Sequence, residues 1–418
     1  MNPLHLSGYG VKIKVRNLRS RSELEIKDGK EWVRGWGKTP RTFKFRPRRI
    51  PYNSIIVDGH SGYISLQALH WLSRNKVPIF VLDHIDGSIV SSILSPIPVK
   101  ADLRAAQIQA SADPKKTFSI ADSLVQAKVA RSLQVLDWLA QRYDIEKEVE
   151  LTKQEAEQLH EARSVPEVRA VEGRVALRYW QAFSSAIPES LDFQGRMTSS
   201  HPNNASDPVN SALNYAYGVL EGECRRTINA VGLEPSIGFL HDVSTYQTKH
   251  SLVYDLQEPF RWIVDVTIIE GFESGALDLP DFYFTGDDYR YRIENDARRR
   301  LLDLLRARFN LGVRYNNRSL RWDTVIERKA VELGRFLTGR SARLDFTEPT
   351  PTLPRTDGKG LRRGILSLAQ SDARRIRIGK STLHYLRKRA RHKGPLKVYK
   401  KIERRLASLT SERTSNEA

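Results

Sequence analysis

One cysteine, Cys224, and two methionines stand among 418 residues. A lone thiol excludes a disulfide framework and any cysteine-built zinc cluster. Long apolar runs are missing too. None approaches the roughly 18 residues that span a bilayer, so no membrane partner is expected. The start, Met1–Gly10, lacks a basic segment leading into an apolar one. No secretory leader is therefore expected, and the expected compartment is the cytoplasm. Acids are scarce relative to bases: 49 Asp and Glu face 68 Lys and Arg, a net charge of +19 with a pI near 9.9. That excess points to a polyanionic partner, nucleic acid before an anionic membrane. The rest is ordinary globular composition, 40% hydrophobic and 28% charged, with length for two or three domains.

The charge is concentrated. Arg355–Ala418 holds 19 Lys/Arg against five acids, a net of +14, which leaves +5 for the other 354 residues. A smaller basic run holds Lys38, Arg41, Lys44, Arg46, Arg48 and Arg49. It reads either as a solvated β-hairpin edge, where charge discourages strand-to-strand aggregation, or as a phosphate contact.

Periodicity divides the body. Val11–Val15 alternates as a half-buried strand does, and Ser54–Val57 and Val77–Leu82 read as short buried strands. Ser65 can cap a helix whose Leu66, Leu69 and Leu72 share a face. From Ala101 the period becomes helical, with Ile120, Leu124, Leu133, Leu136 and Leu139 in register. Thr152-Lys-Gln-Glu155 has a capping-box pattern. Further helices are expected at 167–184, 207–230, 251–270 and 289–308. The fold class is α+β multidomain: a β-rich domain over 1–98, a helical domain over 101–345, a Pro-rich linker over 346–360 and a basic helical module over 361–410.

Three stretches of the helical region place polar groups in apolar company. In Val171-Glu-Gly-Arg-Val-Ala176, Glu172 shares a helical face with Val168, Val175 and Ala176. A carboxylate there calls for a cation, either a bound ion or a neighbour such as Arg169, Arg174 or Arg178. His241 ends the apolar run Gly238-Phe-Leu-His and reads as a ligand or as a hydrogen-bonding residue. Asp255 and Glu258 are spaced i, i+3 in Leu252–Arg261, and Pro259 should kink that helix or start a new one. They read as a metal site or as one capping and one surface carboxylate. One imidazole with two or three carboxylates suits Mg²⁺ or Mn²⁺. Elsewhere, Cys224 reads as a small core residue, His60 and His84 as turn residues, and Asp287-Asp288 as a helix N-terminal cap.

The order of these motifs resembles the CRISPR-associated endonuclease/integrase family, including the related casposon transposases. It runs from Val171–Trp180 through Asp207-Pro-Val-Asn-Ser-Ala-Leu-Asn214 and Gly-Phe-Leu-His241 to Tyr254-Asp-Leu-Gln-Glu-Pro-Phe-Arg261. Ile50–Val57, Gly62–Ser65 and Val77–Asp83 are similar to the family's β-domain, so the likeness covers about residues 4–340. The resemblance implies a divalent-metal site of Glu172, His241 and Glu258, with Asp255 as a nearby active-site acid. It implies an endonuclease and integrase that transfers a DNA 3′-hydroxyl into target DNA, as in CRISPR spacer acquisition. Double-stranded and branched DNA, a second copy of the chain in a homodimer, and a small CRISPR adaptation protein are the implied partners. A casposon transposase, using the same chemistry on transposon ends, is the alternative. A non-catalytic DNA-binding protein of the same fold is the second.

The basic tail departs from the family pattern. Ala373–Leu386 resembles a helix-turn-helix, with Ile378 in the turn, Ser381 or Thr382 opening the second helix, and Leu383 and Leu386 facing a core. Arg374, Arg375, Arg377, Lys380, Ser381, Thr382, Arg387, Lys388 and Arg389 are the expected DNA contacts, and His384 lies either on the DNA side or in solvent. A basic amphipathic helix packed on the body is the other reading.

Overall fold

The computed structural model describes residues 3–18, 21–33, 36–38, 40–59, 61–83, 88–93, 100–196, 205–241, 250–286, 290–351, 353 and 379–391. The strands expected before residue 98 form two four-stranded sheets. Strands β1 (Pro3–Gly8), β7 (Ser54–Gly59) and β9 (Ile79–Leu82) run parallel, with β10 (Ile89–Ile93) antiparallel at one edge. The second sheet has the order β6 (Thr42–Phe45), β3 (Arg21–Lys27), β2 (Val11–Leu18), β8 (Gly62–Ile64). A short ribbon, β4 (Glu31–Val33) and β5 (Trp36–Lys38), stands apart. Leu6, Ile13, Leu24, Ile26, Ile55 and Ile79 fill the core with Trp71 and Leu72 of α1 (Leu66–Arg74). Ser65 caps α1 as expected, its hydroxyl accepting the Ala68 N–H at 3.2 Å.

The basic run lies on this β-rich region. Arg41 bonds buried Asp28 at 2.7 Å, while Lys44, Arg46, Arg48 and Arg49 stay exposed around edge strand β6.

The helical body holds α2 (Ala101–Ala112), α3 (Pro114–Ala140), α4 (Glu146–Glu157), α5 (Val165–Ser184), α6 (Pro208–Val231), α7 (Ser251–Gln257) and α8 (Arg261–Ser274). Hairpin β11 (Phe282–Thr285) and β12 (Arg290–Ile293) leads into α9 (Asn295–Phe309). Hairpin β13 (Gly312–Tyr315) and β14 (Arg318–Arg321) leads into α10 (Trp322–Leu337). Helix α6 is buried on nearly every side. It meets the first sheet where Phe80 lies 3.6 Å from the position a Cβ on Gly222 would take. Cys224 of α6 is fully buried, as expected, and burial raises its thiol pKa well above the ordinary value. Among the described residues, no helix is long and apolar enough to cross a membrane.

Two local expectations give way. The helix expected at 289–308 starts at Asn295, because Arg290-Tyr-Arg-Ile293 alternates and pairs with Phe282–Thr285. Thr152 lies inside α4, where its hydroxyl donates to the Glu148 carbonyl at 2.6 Å, so it caps nothing. The β13–β14 hairpin was not expected. Asn316 and Asn317, with φ of 48° and 61°, supply its two-residue turn.

Buried polar pairs join the β-rich region to the helical body. Arg298 of α9 pairs with Asp58 of β7, and His5 of β1 meets Tyr215 of α6 at 3.0 Å and Asp58 at 3.5 Å. Burial works against the Asp58 charge, but Arg298 and His5 outweigh it and hold its pKa below the ordinary value. Beyond α10 the chain runs back across α3. Ser123 donates to the Leu344 carbonyl at 3.3 Å, Lys329 to that of Asp345 at 2.6 Å and Arg131 to that of Pro349 at 2.8 Å, and Phe346 is buried.

Helix α11 (Lys380–Arg391) begins where the second tail helix was expected. Leu383 and Leu386 are buried, Ser381, Thr382 and His384 are exposed, and Arg387 is half-buried. Lys388 and Arg389 lie on the same helix. Arg374, Arg375 and Arg377, with Ile378, fall outside the described residues, as do His60, His84 and Asp287-Asp288.

Candidate active site

Ser164 opens α5 by accepting the Glu167 N–H, and Val168, Val171, Val175 and Tyr179 seat the helix on the core. Glu172 lies at the margin of that stripe, half-buried, facing α3. Its partner is Lys128 of α3. None of the three arginines considered from the sequence takes that place. Arg174 and, at 3.5 Å, Arg178 turn instead to Glu155 of α4.

The loop after α6 starts at Gly232, whose φ of 90° ends the helix. It carries His241 back over α7. Asp255, fully buried on α7, accepts the backbone N–H groups of Phe239 at 2.5 Å, Leu240 at 3.1 Å and His241 at 3.0 Å, and the His241 Nδ1–H at 2.8 Å. Asp255 therefore orients the loop and the imidazole, leaving Nε2 to face Glu258 at 4.0 Å. The loop passes so close that a Cβ at Gly238 would lie 2.7 Å from Ser251 Cβ and 2.8 Å from Asp255 Oδ2. Gly238→Ala is expected to cost about 1–3 kcal/mol and to loosen His241. A urea unfolding midpoint equal to that of wild type would count against this packing.

Pro259 interrupts the helix, as expected. Glu258–Phe260 is a single tight turn between α7 and α8, and it turns the Glu258 carboxylate inward. Glu258 is buried and pairs with Lys128 at 2.6 Å and Arg261 at 2.9 Å. Burial alone would raise its pKa. Arg261, then Lys128, outweigh that and hold the carboxyl far below the usual carboxylate range. Both carboxylates in turn raise the Lys128 pKa against its own burial.

Glu172, Lys128, Glu258 and Arg261 line a cleft of about 200 Å³ that continues past Trp180, Arg196 and Tyr217 to Asp265. Tyr179 donates to one Asp265 oxygen at 2.7 Å and Tyr217 to the other. Arg261 stacks over the Tyr217 ring at 4.8 Å, and Arg196 lies 5.4 Å from it. Burial pushes the Asp265 pKa up from 3.8 to about 6, against the two tyrosine hydrogen bonds. The folded protein then holds this proton where the open chain has lost it, so stability falls as pH rises from about 4 through 6. The expected loss is on the order of 3 kcal/mol. Urea midpoints of wild type and Asp265→Asn across that range measure it, and a gap that does not change with pH would contradict it.

Among the described residues, no three His, Cys, Asp or Glu donors converge on one point as they stand. The two glutamates meet instead on the Lys128 ammonium, a cation where the donor set would place a metal ion. One imidazole nitrogen and two carboxylates fit Mg²⁺ or Mn²⁺. Lys128, Arg196, Tyr217, Arg261 and Asp265 were not singled out from the sequence. Only the proximity of Tyr217 to the Asp207–Asn214 motif, and of Arg261 and Asp265 to Glu258, hinted at them.

A β-rich region packed on a helical body, whose cleft brings two glutamates together with His241 close to one of them, is the arrangement of a nuclease and integrase class, as the comparison with known proteins shows. The profile described as CRISPR associated protein Cas1 matches residues 20–307, and the chain belongs to that family. It is 31% identical over 337 residues to CRISPR-associated endonuclease Cas1 1 of Archaeoglobus fulgidus, covering 76% of this chain and 94% of that protein. It is 35% identical to a casposase bound to its integration product, with a TM-score of 0.78 over 88% of this chain and 99% of the casposase. A CAS1 protein from Thermotoga maritima, 17% identical over 81% of this chain and 97% of its own, shares the fold with a TM-score of 0.62.

Proposed function

We propose that this chain is a divalent-metal-dependent DNA endonuclease and integrase that joins a DNA 3′-hydroxyl to target DNA. The observation that carries the reading is the meeting of Glu172 and Glu258 on one cation, with His241 Nε2 facing Glu258, in a chain of the Cas1 family. Glu172, His241 and Glu258 would hold Mg²⁺ or Mn²⁺. Such an ion, when bound, lowers the pKa of the attacking oxygen and neutralises charge on the reacting phosphate.

The chain's own residues do the rest. Asp255 accepts the His241 Nδ1–H and so keeps Nε2 free to act as a donor to the ion. Arg261 stays on Glu258 and keeps it ionised inside the body. The half-buried Arg196 guanidinium, held by Asn210 at 3.0 Å and Asn214 at 2.8 Å, favours a polyanion in the cleft without reading its sequence. Attack by a 3′-hydroxyl joins strands, whereas attack by water nicks them, so one cleft serves both reactions. The division into a β-rich domain (1–98), a helical catalytic domain (101–345) and a basic DNA-binding module beyond the linker, together with a homodimer and a small partner subunit, belongs to the same proposal.

The test is to incubate the purified chain with labelled DNA bearing a 3′-hydroxyl, a branched or duplex target and Mn²⁺. The expected result is strand transfer that EDTA abolishes and that an RNA of equal sequence does not support. Absence of any metal-dependent product would favour the non-catalytic DNA-binding reading.

Which DNA is moved has a second reading. Among solved structures, the casposase is 35% identical with a TM-score of 0.78, against 17% and 0.62 for the Thermotoga CAS1 protein, which favours transposon ends as the donor. Preference for inverted-repeat ends over short spacer-like duplexes in the same assay would support it.

A further inference from the structure

The pocket assigned to the metal already holds a cation of the protein's own. Lys128 Nζ bridges Glu172 of α5 and Glu258 of the turn between α7 and α8, and Arg261 covers the other Glu258 oxygen. The four side chains sum to zero charge in a largely dehydrated place, since Glu258 is buried and Lys128 and Arg261 are only 20% and 27% exposed. A dication cannot add to such a set without displacing something. The more strongly fixed cation is Arg261, which is also stacked on Tyr217. The movable one is Lys128, an ammonium on a flexible four-carbon stem, beside an open cleft shared with Arg131 and Trp180.

We propose that Lys128 is an exchangeable counter-ion: it holds Glu172 and Glu258 together in the metal-free protein, and gives them up to the dication. The freed ammonium then remains in the cleft as a phosphate contact. This rests on the metal-site reading above and adds a residue to it.

The consequences run in opposite directions, which makes the role testable. Competition by Lys128 weakens metal binding while its presence supports the fold without metal. Lys128→Met removes the competitor, leaves the remaining groups with a net negative charge, and should tighten Mn²⁺ binding roughly tenfold. The same variant should melt at a lower temperature in EDTA, gain more from added Mn²⁺ than wild type does, and transfer strands more slowly despite better metal loading. Lys128→Arg should bind Mn²⁺ no more tightly than wild type.

The measurement is free Mn²⁺ by electron paramagnetic resonance during titration of the DNA-free full chain, together with thermal melts. Lys128→Gln, neutral but able to hydrogen-bond both carboxylates, takes the place of Lys128→Met should that variant not fold. If the neutral variants bind Mn²⁺ no more tightly than wild type, while Glu172→Ala loses the site, the counter-ion role is wrong and the metal site stands. If wild type has no Mn²⁺ site that depends on Glu172, the metal-site reading fails and the role of Lys128 fails with it.

Discussion

Glu172→Ala and His241→Ala are each expected to reduce metal-dependent strand transfer by about 10²–10³-fold, the loss typical of removing one group that stabilises charge in a transition state. Both side chains stand at the solvent side of the cluster and are half-buried, so the fold should survive either change. Asp255→Asn should behave differently. Asp255 is fully buried, and the structure ties it to three backbone N–H groups and the His241 ring. A residue that acts by orienting a ligand typically costs about 10–100-fold in metal affinity or activity when changed. The three variants should therefore fall in two tiers in one Mn²⁺-dependent assay, with Asp255→Asn also lowering the unfolding midpoint. Strand transfer that persists undiminished in Glu172→Ala or His241→Ala would sink the assignment of the site.

Glu258→Ala should damage the fold as well as the reaction. Its carboxylate sits between two covered cations, Lys128 and Arg261, and their positive charge keeps it ionised despite burial. Removing one partner of a buried pair leaves uncompensated charge, at a cost of about 3–5 kcal/mol. Glu258→Gln keeps the shape and one acceptor but not the charge, and should lie between wild type and alanine. Urea unfolding in EDTA measures this without involving catalysis. A Glu258→Ala midpoint equal to that of wild type would mean that Lys128 and Arg261 find other partners. Pairing the measurement with Lys128→Met is informative, because the double variant removes opposite charges and should be less unstable than the single losses would sum to.

Several features were legible from sequence because they are local. Ser65 caps α1 through an atom three residues away, Pro259 breaks the helix at its own position, and the i−4, i+3 neighbours of Glu172 are set by helical geometry. The same local logic failed at Thr152, whose pattern matches a capping box but whose place inside α4 leaves no free helix end to cap. It failed at 290–293 because a short alternating stretch beside a helical one takes whichever pairing its neighbour offers, and Phe282–Thr285 offers a strand.

By itself, then, the sequence determined the β-rich beginning and helical body, the ordered motifs that mark the family, and the division of +19 into a nearly balanced body and a +14 tail. The tertiary structure alone decided what Glu172 pairs with, that Asp255 serves His241, and that Arg196, Tyr217 and Asp265 extend the cleft. Lys128 lies 44 residues from Glu172 along the chain and still farther from Glu258, on a helix whose own pattern shows nothing unusual. The reason is physical. Periodicity and capping are interactions within one element, so spacing reveals them, whereas the partner of a buried charge is set by which helices pack side by side.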